Sequence, residues 1–394
     1  MKQLTDTVTF RHGATIKTRT AQSPMLTNSG LDEKVTQETI DYYAARSQSA
    51  GMVIVEYTSV SPNGGPSRSW APDREQLAVY NDDFKPGLAK VAEVLKKDGN
   101  KALLQLVHSG REAAYRYELG GRVEVPSKLD FPWIDYPLYE LTEEEVWGIV
   151  RDFGAAAKRA IDCGFDGIEI HGANHYLHQE FFSAFSNKRT DFWGGSFEKR
   201  MNFALEVARE VFRVVNEFAP KDFIVGYRIS PEEIHGENIG YTWREAKELI
   251  RTLSQQFEFD YIHLSTNDYT KTPSDSDKNY AQLLGDAVQA PALLMIAGGI
   301  HTVEKMQNAL NYVDIVSLGR PTLIDPQIAY KLENGLEDQI SLSFNEESVA
   351  AAKLTPGLMA LLANAEYFAM PGMDYLQSLV DEKLDDVVTH DGTQ

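Results

Sequence analysis

Residues 164–200 read GFDGIEIHGANHYLHQEFFSAFSNKRTDFWGGSFEKR, and the opening of this stretch predicts a buried parallel strand that ends at polar side chains. Alternation along the strand places Glu169 and His171 on one face, while the two isoleucines between and before them point to the other face, toward helices. His171 then stands at the carboxyl end of the strand. In α/β barrels that end carries the functional groups, whereas the opposite end serves stability.

Seven other β-rich apolar runs recur along the chain with helical patterns between them. They cover residues 17–25, 52–57, 102–107, 223–229, 261–265, 293–297 and 315–318. A hairpin is predicted at 7–16, and long helices are predicted at 142–163 and 197–218. Eight strands with intervening helices and no long linker favour one closed (β/α)8 TIM barrel over two doubly wound domains.

The domain boundary is expected near residue 340. Residues 1–340 should form the barrel with its N-terminal hairpin, and 341–394 a C-terminal helical extension packed on it. We expect a helix near 375–384 and a solvated acidic tail over 374–394, where six acidic residues accompany one lysine.

Composition excludes several classes of protein. The 394 residues are 43% hydrophobic and carry a net charge of −20, which excludes disorder and argues against binding to nucleic acid or to an anionic membrane. A lone cysteine, Cys163, excludes an internal disulfide and a cysteine-ligated iron–sulfur cluster. With no signal-like start and no apolar run of about 20 residues, the expected location is the cytoplasm.

Missing motifs narrow the chemistry further. No two glycines are separated by a single residue, so a G-x-G-x-x-G dinucleotide turn is absent. The phosphate loop of nucleotide hydrolases, H-E-x-x-H and G-x-S-x-G are also absent, which argues against zinc-dependent hydrolysis and α/β-hydrolase chemistry.

One polar cluster follows the strand at 167–171. His171 and Asn174 could polarise an oxygen atom by hydrogen bonding, and the phenol of Tyr176 could give a proton. Two alternatives stay open. His171 and Asn174 could merely hold the loop while Tyr176 packs, or His171 and His175 could form a helical metal pair, for which no further ligand is obviously placed. No metal is predicted.

A second cluster follows the last two strands. IAGG at 296–299 and VSLGRP at 316–321 put glycines directly after strands, where backbone N–H groups can approach an anion, and Arg320 adds a charged fork. Loops at this position bind phosphate in TIM barrels. The alternative is that the glycines serve only tight turns. Gln105, His108, Arg228 and Ser265 complete a possible ring of polar groups at strand ends.

The sequence resembles the Old Yellow Enzyme family of FMN-dependent NAD(P)H:flavin oxidoreductases and ene-reductases. The resemblance runs from about residue 22 to 326, and its most specific part is the stretch 165–200. QSPMLTN at 22–28, IVEYTSV at 54–60, QLVHSGR at 105–111, GYRIS at 226–230 and LGRP at 318–321 follow in the family's order.

The resemblance implies a non-covalent FMN at the barrel mouth, with NADPH or NADH as the hydride donor. The residues implied to contact FMN are Ser23, Pro24, Met25, Gln105, Arg228, Ser265, Gly298, Gly299, Gly319 and Arg320.

The resemblance also implies a reaction, in which activated C=C bonds of enones, enals, nitroalkenes or maleimides are reduced in ping-pong fashion. His171 and Asn174 would bind the substrate oxygen, and Tyr176 would donate the proton after hydride arrives from flavin N5. A homo-oligomer is expected by resemblance alone.

The chain departs from the family pattern at three places. Leu26 and Thr27 follow the Pro–Met pair where many relatives have threonine or cysteine, Tyr57 stands where small residues are common, and Trp193 replaces a tyrosine.

The main rival function is a flavin-free lyase or isomerase for a phosphorylated small molecule, with His171 as acid/base and a carboxylate at Glu56 or Glu169. A non-catalytic flavin-binding protein is a third possibility.

Overall fold

The computed structural model describes residues 1–71, 73–364 and 370–380, and its centre is a closed barrel of eight parallel strands. Each strand pairs with its sequence neighbours, and the last pairs with the first. The predicted (β/α)8 TIM barrel is therefore confirmed. The barrel strands are β1 (Thr20–Gln22), β2 (Met52–Ser59), β3 (Lys101–Val107), β4 (Gly167–Gly172), β5 (Ile224–Ile229), β6 (Tyr261–Ser265), β7 (Leu293–Ala297) and β8 (Ile315–Leu318).

Helices lie outside the barrel, between these strands and after the last of them. They are α1 (Gln37–Ala44), α2 (Lys85–Lys96), α3 (Glu143–Asp162), α4 (Asn202–Phe218), α5 (Trp243–Gln256), α6 (Tyr280–Leu284), α7 (Val303–Ala309) and α8 (Ile328–Glu333).

Shorter elements decorate the loops. The two-stranded pairs are Val8–Thr9 with Thr15–Ile16, Val123–Val125 with Leu138–Glu140, and Glu233–His235 with Asn238–Tyr241. The short α-helices are Ala114–Glu118, Leu177–Phe182, Phe197–Arg200, Arg320–Ile324, Glu346–Ala352, Pro356–Asn364 and Met373–Ser378, and the 3-10 turns are Asp82–Phe84, Gly110–Glu112, Gly285–Ala287 and Glu337–Gln339.

The helix α3 shows how local sequence sets these elements. The Thr142 hydroxyl accepts a hydrogen bond from the backbone N–H of Glu145, and the Glu145 carboxylate accepts one from the backbone N–H of Thr142. This capping box satisfies two donors that the first helical turn leaves open. Two further glutamates in that turn complement the positive end of the helix dipole. The apolar face, with Phe153 at its centre, is buried against the barrel.

The N-terminal hairpin closes the amino-terminal end of the barrel. Val8, Phe10 and Ile16 form one buried cluster with apolar side chains from the starts of the strands, such as Met52 and Ile224. That end is therefore filled, and ligands must enter at the carboxyl ends of the strands.

Three predicted boundaries were wrong. The first strand is only Thr20–Gln22 instead of 17–25, and Pro24, which has no N–H for a sheet ladder, follows it closely. The helix expected at 197–218 is interrupted at Met201, because Ser196 caps a separate short turn. The helix expected at 375–384 is Met373–Ser378, and residues 381–394 lie outside the described residues.

The segment after residue 340 packs beside the loop that follows β1. The Thr355 hydroxyl donates to the carbonyl of Thr27, and a side-chain carbon added at Gly357 would lie 2.3 Å from the carbonyl oxygen of Asn28. Within the described ranges, no helix has both the length and the apolar character required to span a membrane.

Candidate active site

Three aromatic rings meet at the carboxyl end of β4. The ring centroids of His171 and Tyr176 are 4.9 Å apart with nearly perpendicular planes, and Tyr57 from β2 lies 5.4 Å from Tyr176 and 6.1 Å from His171. The sequence marked Tyr57 only as a departure from the small residues that are common at this position. The structure makes it the immediate neighbour of the Tyr176 phenol.

The protonation of His171 follows from its surroundings. Its Nδ1 accepts a hydrogen bond from the backbone N–H of Ala173 at 3.2 Å, so the proton of a neutral ring resides on Nε2. Burial lowers the pKa of His171 well below its ordinary value, and the positive charge of Arg228 lowers it further. The buried Nε2 has no protein partner. His171 therefore presents a neutral N–H donor that a ligand can satisfy.

Asn174 occupies a left-handed backbone conformation with φ of 58°, which asparagine tolerates better than most residues. Its backbone N–H donates to Ser230 Oγ at 3.1 Å, and its Oδ1 accepts from Ser265 Oγ at 3.0 Å. Ser265 in turn accepts from Arg228 Nη2 at 3.0 Å. This chain of bonds leaves the Nδ2 amide of Asn174 to donate toward a ligand.

Tyr176 keeps its proton at neutral pH. Burial raises the pKa of its phenol well above the ordinary value, and the neighbouring phenol of Tyr57 raises it further. A group that stays protonated beside a neutral histidine donor can serve as a general acid.

A buried hydrogen-bond network spans the barrel interior beneath this cluster. Gln105 Nε2 donates to Glu169 Oε1 at 2.6 Å, and Glu169 Oε2 lies 2.9 Å from His263 Nδ1. Burial raises the pKa of Glu169, but its interactions with His263 and with the charge of Arg228 outweigh this effect and hold that pKa below its ordinary value. The carboxylate thus balances the buried Arg228 guanidinium.

Glycines shape the second cluster, at the ends of β7 and β8. Gly298 has φ of 137°, and a side-chain carbon there would lie 2.3 Å from the carbonyl oxygen of Thr266. Gly299 also has positive φ, at 67°. Only glycine fits such a position without strain. The backbone therefore stays open to an approaching anion.

Arg320 and Ser23 line the same end of the barrel. Arg320 Nη1 lies 3.3 Å from His301 Nε2, and burial together with the Arg320 charge lowers the pKa of His301, so the neutral ring accepts from the guanidinium. Ser23 Oγ is 2.7 Å from Ser317 Oγ. Met25 approaches this end too, since a side-chain carbon added at Gly319 would lie 3.5 Å from its sulfur. Pro24, between Ser23 and Met25, is buried.

Unsatisfied buried atoms test whether these residues suit a flavin. Gln105 Oε1, Arg228 Nε and His171 Nε2 are all buried without a hydrogen-bond partner. They come from three adjacent strands and provide one acceptor and two donors. A planar heterocycle with polar edges satisfies such a set, and the glycine-lined arginine site suits its phosphate. The residues present fit FMN.

The rival lyase or isomerase requires a free carboxylate, and neither candidate offers one. Glu169 is engaged as described. Glu56 Oε2 accepts from the Thr27 backbone N–H at 2.7 Å and Oε1 from the Thr27 hydroxyl at 2.6 Å. The Thr27 hydroxyl is thereby committed to Glu56. Leu26 is buried.

Sequence reasoning missed three neighbours of the site: Tyr57 as a partner of Tyr176, and the two histidines His263 and His301. Alternation offered a signal for His263, since it shares a strand face with Ser265. His301 follows the glycine pair by two residues, where a polar side chain was a usable hint.

Glu56 gives a prediction for stability. Burial raises its pKa from 4.5 to about 7. Between these values the folded chain retains a proton that the unfolded chain has lost, so the free energy of unfolding falls as the pH rises. The neutral amide of Glu56→Gln mimics the protonated carboxyl. The substitution should therefore abolish this decrease in the free energy of unfolding, which is on the order of 3 kcal/mol.

The check is the melting temperature at pH 5 and pH 8. We expect the melting temperature to decrease from pH 5 to pH 8 by clearly less in Glu56→Gln than in the parent protein. The control is Glu258→Gln, at an exposed glutamate. An unchanged pH dependence in Glu56→Gln would contradict the assignment.

Comparison with known proteins identifies the family. The NADH:flavin oxidoreductase / NADH oxidase family matches residues 6–339. A probable NADH-dependent flavin oxidoreductase, YqiG, of Bacillus subtilis (strain 168) is 38% identical over 344 residues, which cover 86% of this chain and 90% of that protein. NADH:acrylate oxidoreductase of Vibrio harveyi is also 38% identical, over 85% of this chain but only 33% of that longer protein.

A solved structure shows the same fold. The Old Yellow Enzyme homologue from Zymomonas mobilis superposes with a TM-score of 0.74 at 23% identity, covering 91% of this chain and 98% of that one. The resemblance drawn from the sequence is thus confirmed. The chain belongs to the NADH:flavin oxidoreductase / NADH oxidase family and is an NAD(P)H-dependent oxidoreductase with FMN as its cofactor.

Proposed function

We propose that this enzyme reduces C=C bonds conjugated to an electron-withdrawing group, in enones, enals, nitroalkenes and maleimides, by a ping-pong cycle with NADH or NADPH. The similarity to an acrylate oxidoreductase supports a conjugated alkene as the substrate class. FMN, when bound, would supply the hydride transfer from the nicotinamide to the β carbon of the alkene.

The neutral donors at the end of β4 bind the substrate oxygen. His171 Nε2–H and the Asn174 amide are fixed by their own hydrogen bonds, so they need little reorganisation when negative charge develops on that oxygen. Drawing charge onto the oxygen makes the β carbon a better hydride acceptor. The cofactor would be held by Gln105, Arg228, Ser265, Gly298, Gly299, Gly319 and Arg320, and Ser23, Pro24 and Met25 would contact it.

Tyr176 completes the reduction by giving its proton to the α carbon. Its raised pKa keeps that proton in place until carbanion character develops there. Tyr57, beside it, is placed to support the hydroxyl. One observation carries the proposal. The buried N–H of His171 has no protein partner, and the protonated phenol of Tyr176 lies beside it, with 4.9 Å between the two ring centroids.

The test is an anaerobic titration followed by absorbance. We expect the flavin band of the purified enzyme to bleach with NADH or NADPH and to return on addition of 2-cyclohexenone. N-ethylmaleimide, a nitroalkene and acrylate serve as further acceptors. A band that bleaches but returns with none of the four would overturn the proposal, and a protein that stays colourless after incubation with FMN would favour the lyase or isomerase.

A further inference from the structure

A second group of polar side chains lies beside the active site and takes no part in the proposed reaction. His175 follows β4, and Glu233 and His235 form one edge of the short hairpin after β5. One ligand atom from each residue lies within 4.8 Å of the others. Glu233 is buried, and the two histidines are partly exposed, so the group can be reached from solvent.

We propose that His175, Glu233 and His235 form a binding site for a divalent transition-metal ion, of which Zn²⁺ is the representative. Two imidazoles and one carboxylate are a donor set that zinc and its neighbours in the first transition row accept. One alternative drawn from the sequence was a helical metal pair of His171 with His175. In the structure His171 lies in β4, and His175 instead lies close to Glu233 and His235 of the hairpin.

The spacing suits such an ion. Zinc bonds to imidazole nitrogen and carboxylate oxygen at about 2.0–2.2 Å, so two ligand atoms of a tetrahedral site lie about 3.3 Å apart. His235 Nε2 and Glu233 Oε1 are already 3.3 Å apart. The third ligand atom, on His175, lies within 4.8 Å of the other two.

A supporting layer of hydrogen bonds holds these ligands. Gln179 Nε2 donates to Glu233 Oε2 at 3.0 Å and lies 3.3 Å from His175 Nδ1, and Ser183 Oγ donates to Glu233 Oε1 at 3.0 Å. Metal sites depend on such outer contacts for ligand orientation. The nearby Arg111 guanidinium is paired with Glu112 at 3.3 Å, which offsets its charge.

The site would act on the catalytic loop. His175 stands between Asn174 and Tyr176 and has φ of 64°. An ion bound there joins this loop to the hairpin after β5, so occupancy would restrict the positions of both active-site neighbours.

Isothermal titration of ZnCl2 into the chelator-treated holoenzyme tests the site. We expect one Zn²⁺ per chain in the parent enzyme. Affinity should fall by more than about tenfold in His235→Ala and in His175→Ala, since even changes to outer contacts weaken metal sites by about 10–100-fold.

The matched control is His12→Ala. It removes a partly exposed histidine 3.6 Å from a glutamate, Glu258, at the opposite end of the barrel, and it should bind zinc as the parent does. Far-ultraviolet circular dichroism and the flavin spectrum show whether each variant is folded. No zinc binding, or equal binding in folded His235→Ala, His175→Ala and His12→Ala, would overturn the proposal.

Discussion

Tyr176→Phe should slow reoxidation of the reduced enzyme by 2-cyclohexenone by at least about 100-fold, the lower range for loss of a general acid. The rate at which NADPH or NADH reduces the flavin of the Tyr176→Phe enzyme should remain within about twofold of the parent rate. The reason is that only the alkene step consumes a proton, and the Tyr176 phenol, with its raised pKa, holds that proton. Anaerobic stopped-flow absorbance measures the two half-reactions separately.

Tyr57→Phe is the matched control for this experiment. It removes a second phenol whose ring lies 5.4 Å from that of Tyr176, with the same change in size. We expect a loss of only a few-fold in the alkene step, because Tyr57 acts through its neighbour. If Tyr57→Phe lost as much as Tyr176→Phe, or if Tyr176→Phe slowed both half-reactions equally, the role of Tyr176 as proton donor would be wrong.

Arg320→Ala should raise the dissociation constant for FMN by at least about 30-fold, because truncating one member of a hydrogen-bonded charge pair costs about 2–5 kcal/mol. Arg320 is half-buried beside the glycines that follow β7 and β8, and the neutral His301 holds its guanidinium. A phosphate dianion at this site would gain charge-assisted hydrogen bonds from the fork of the arginine.

Quenching of FMN fluorescence on titration with apoenzyme measures this constant. Arg213→Ala, on the exposed face of α4, is the control and should leave the constant unchanged. The loss in Arg320→Ala should also be accompanied by weaker dependence of FMN binding on ionic strength, since one charge pair has been removed. An FMN affinity equal to that of Arg213→Ala would place the phosphate elsewhere.

The sequence by itself determined the barrel, the place of the site within it and the family. Each strand can be predicted from a few consecutive residues, because period-two alternation and β-branched residues are visible over that length, as at 167–171. Polar residues at the carboxyl ends of strands, or just after them, then mark the mouth of the barrel, where the sequence placed His171, Asn174, Arg228 and Arg320. The structure brings them there.

Only the tertiary structure decided which side chains meet. Glu169 contacts Gln105 and His263, which lie on strands 64 and 94 residues away along the chain, and Glu56 in β2 contacts Thr27 in the loop after β1. The grouping of His175 with Glu233 and His235 likewise depends on two loops that lie side by side only once the barrel closes. Periodicity describes which face a residue takes, whereas its partner depends on register and closure, and these arise from packing of the whole chain.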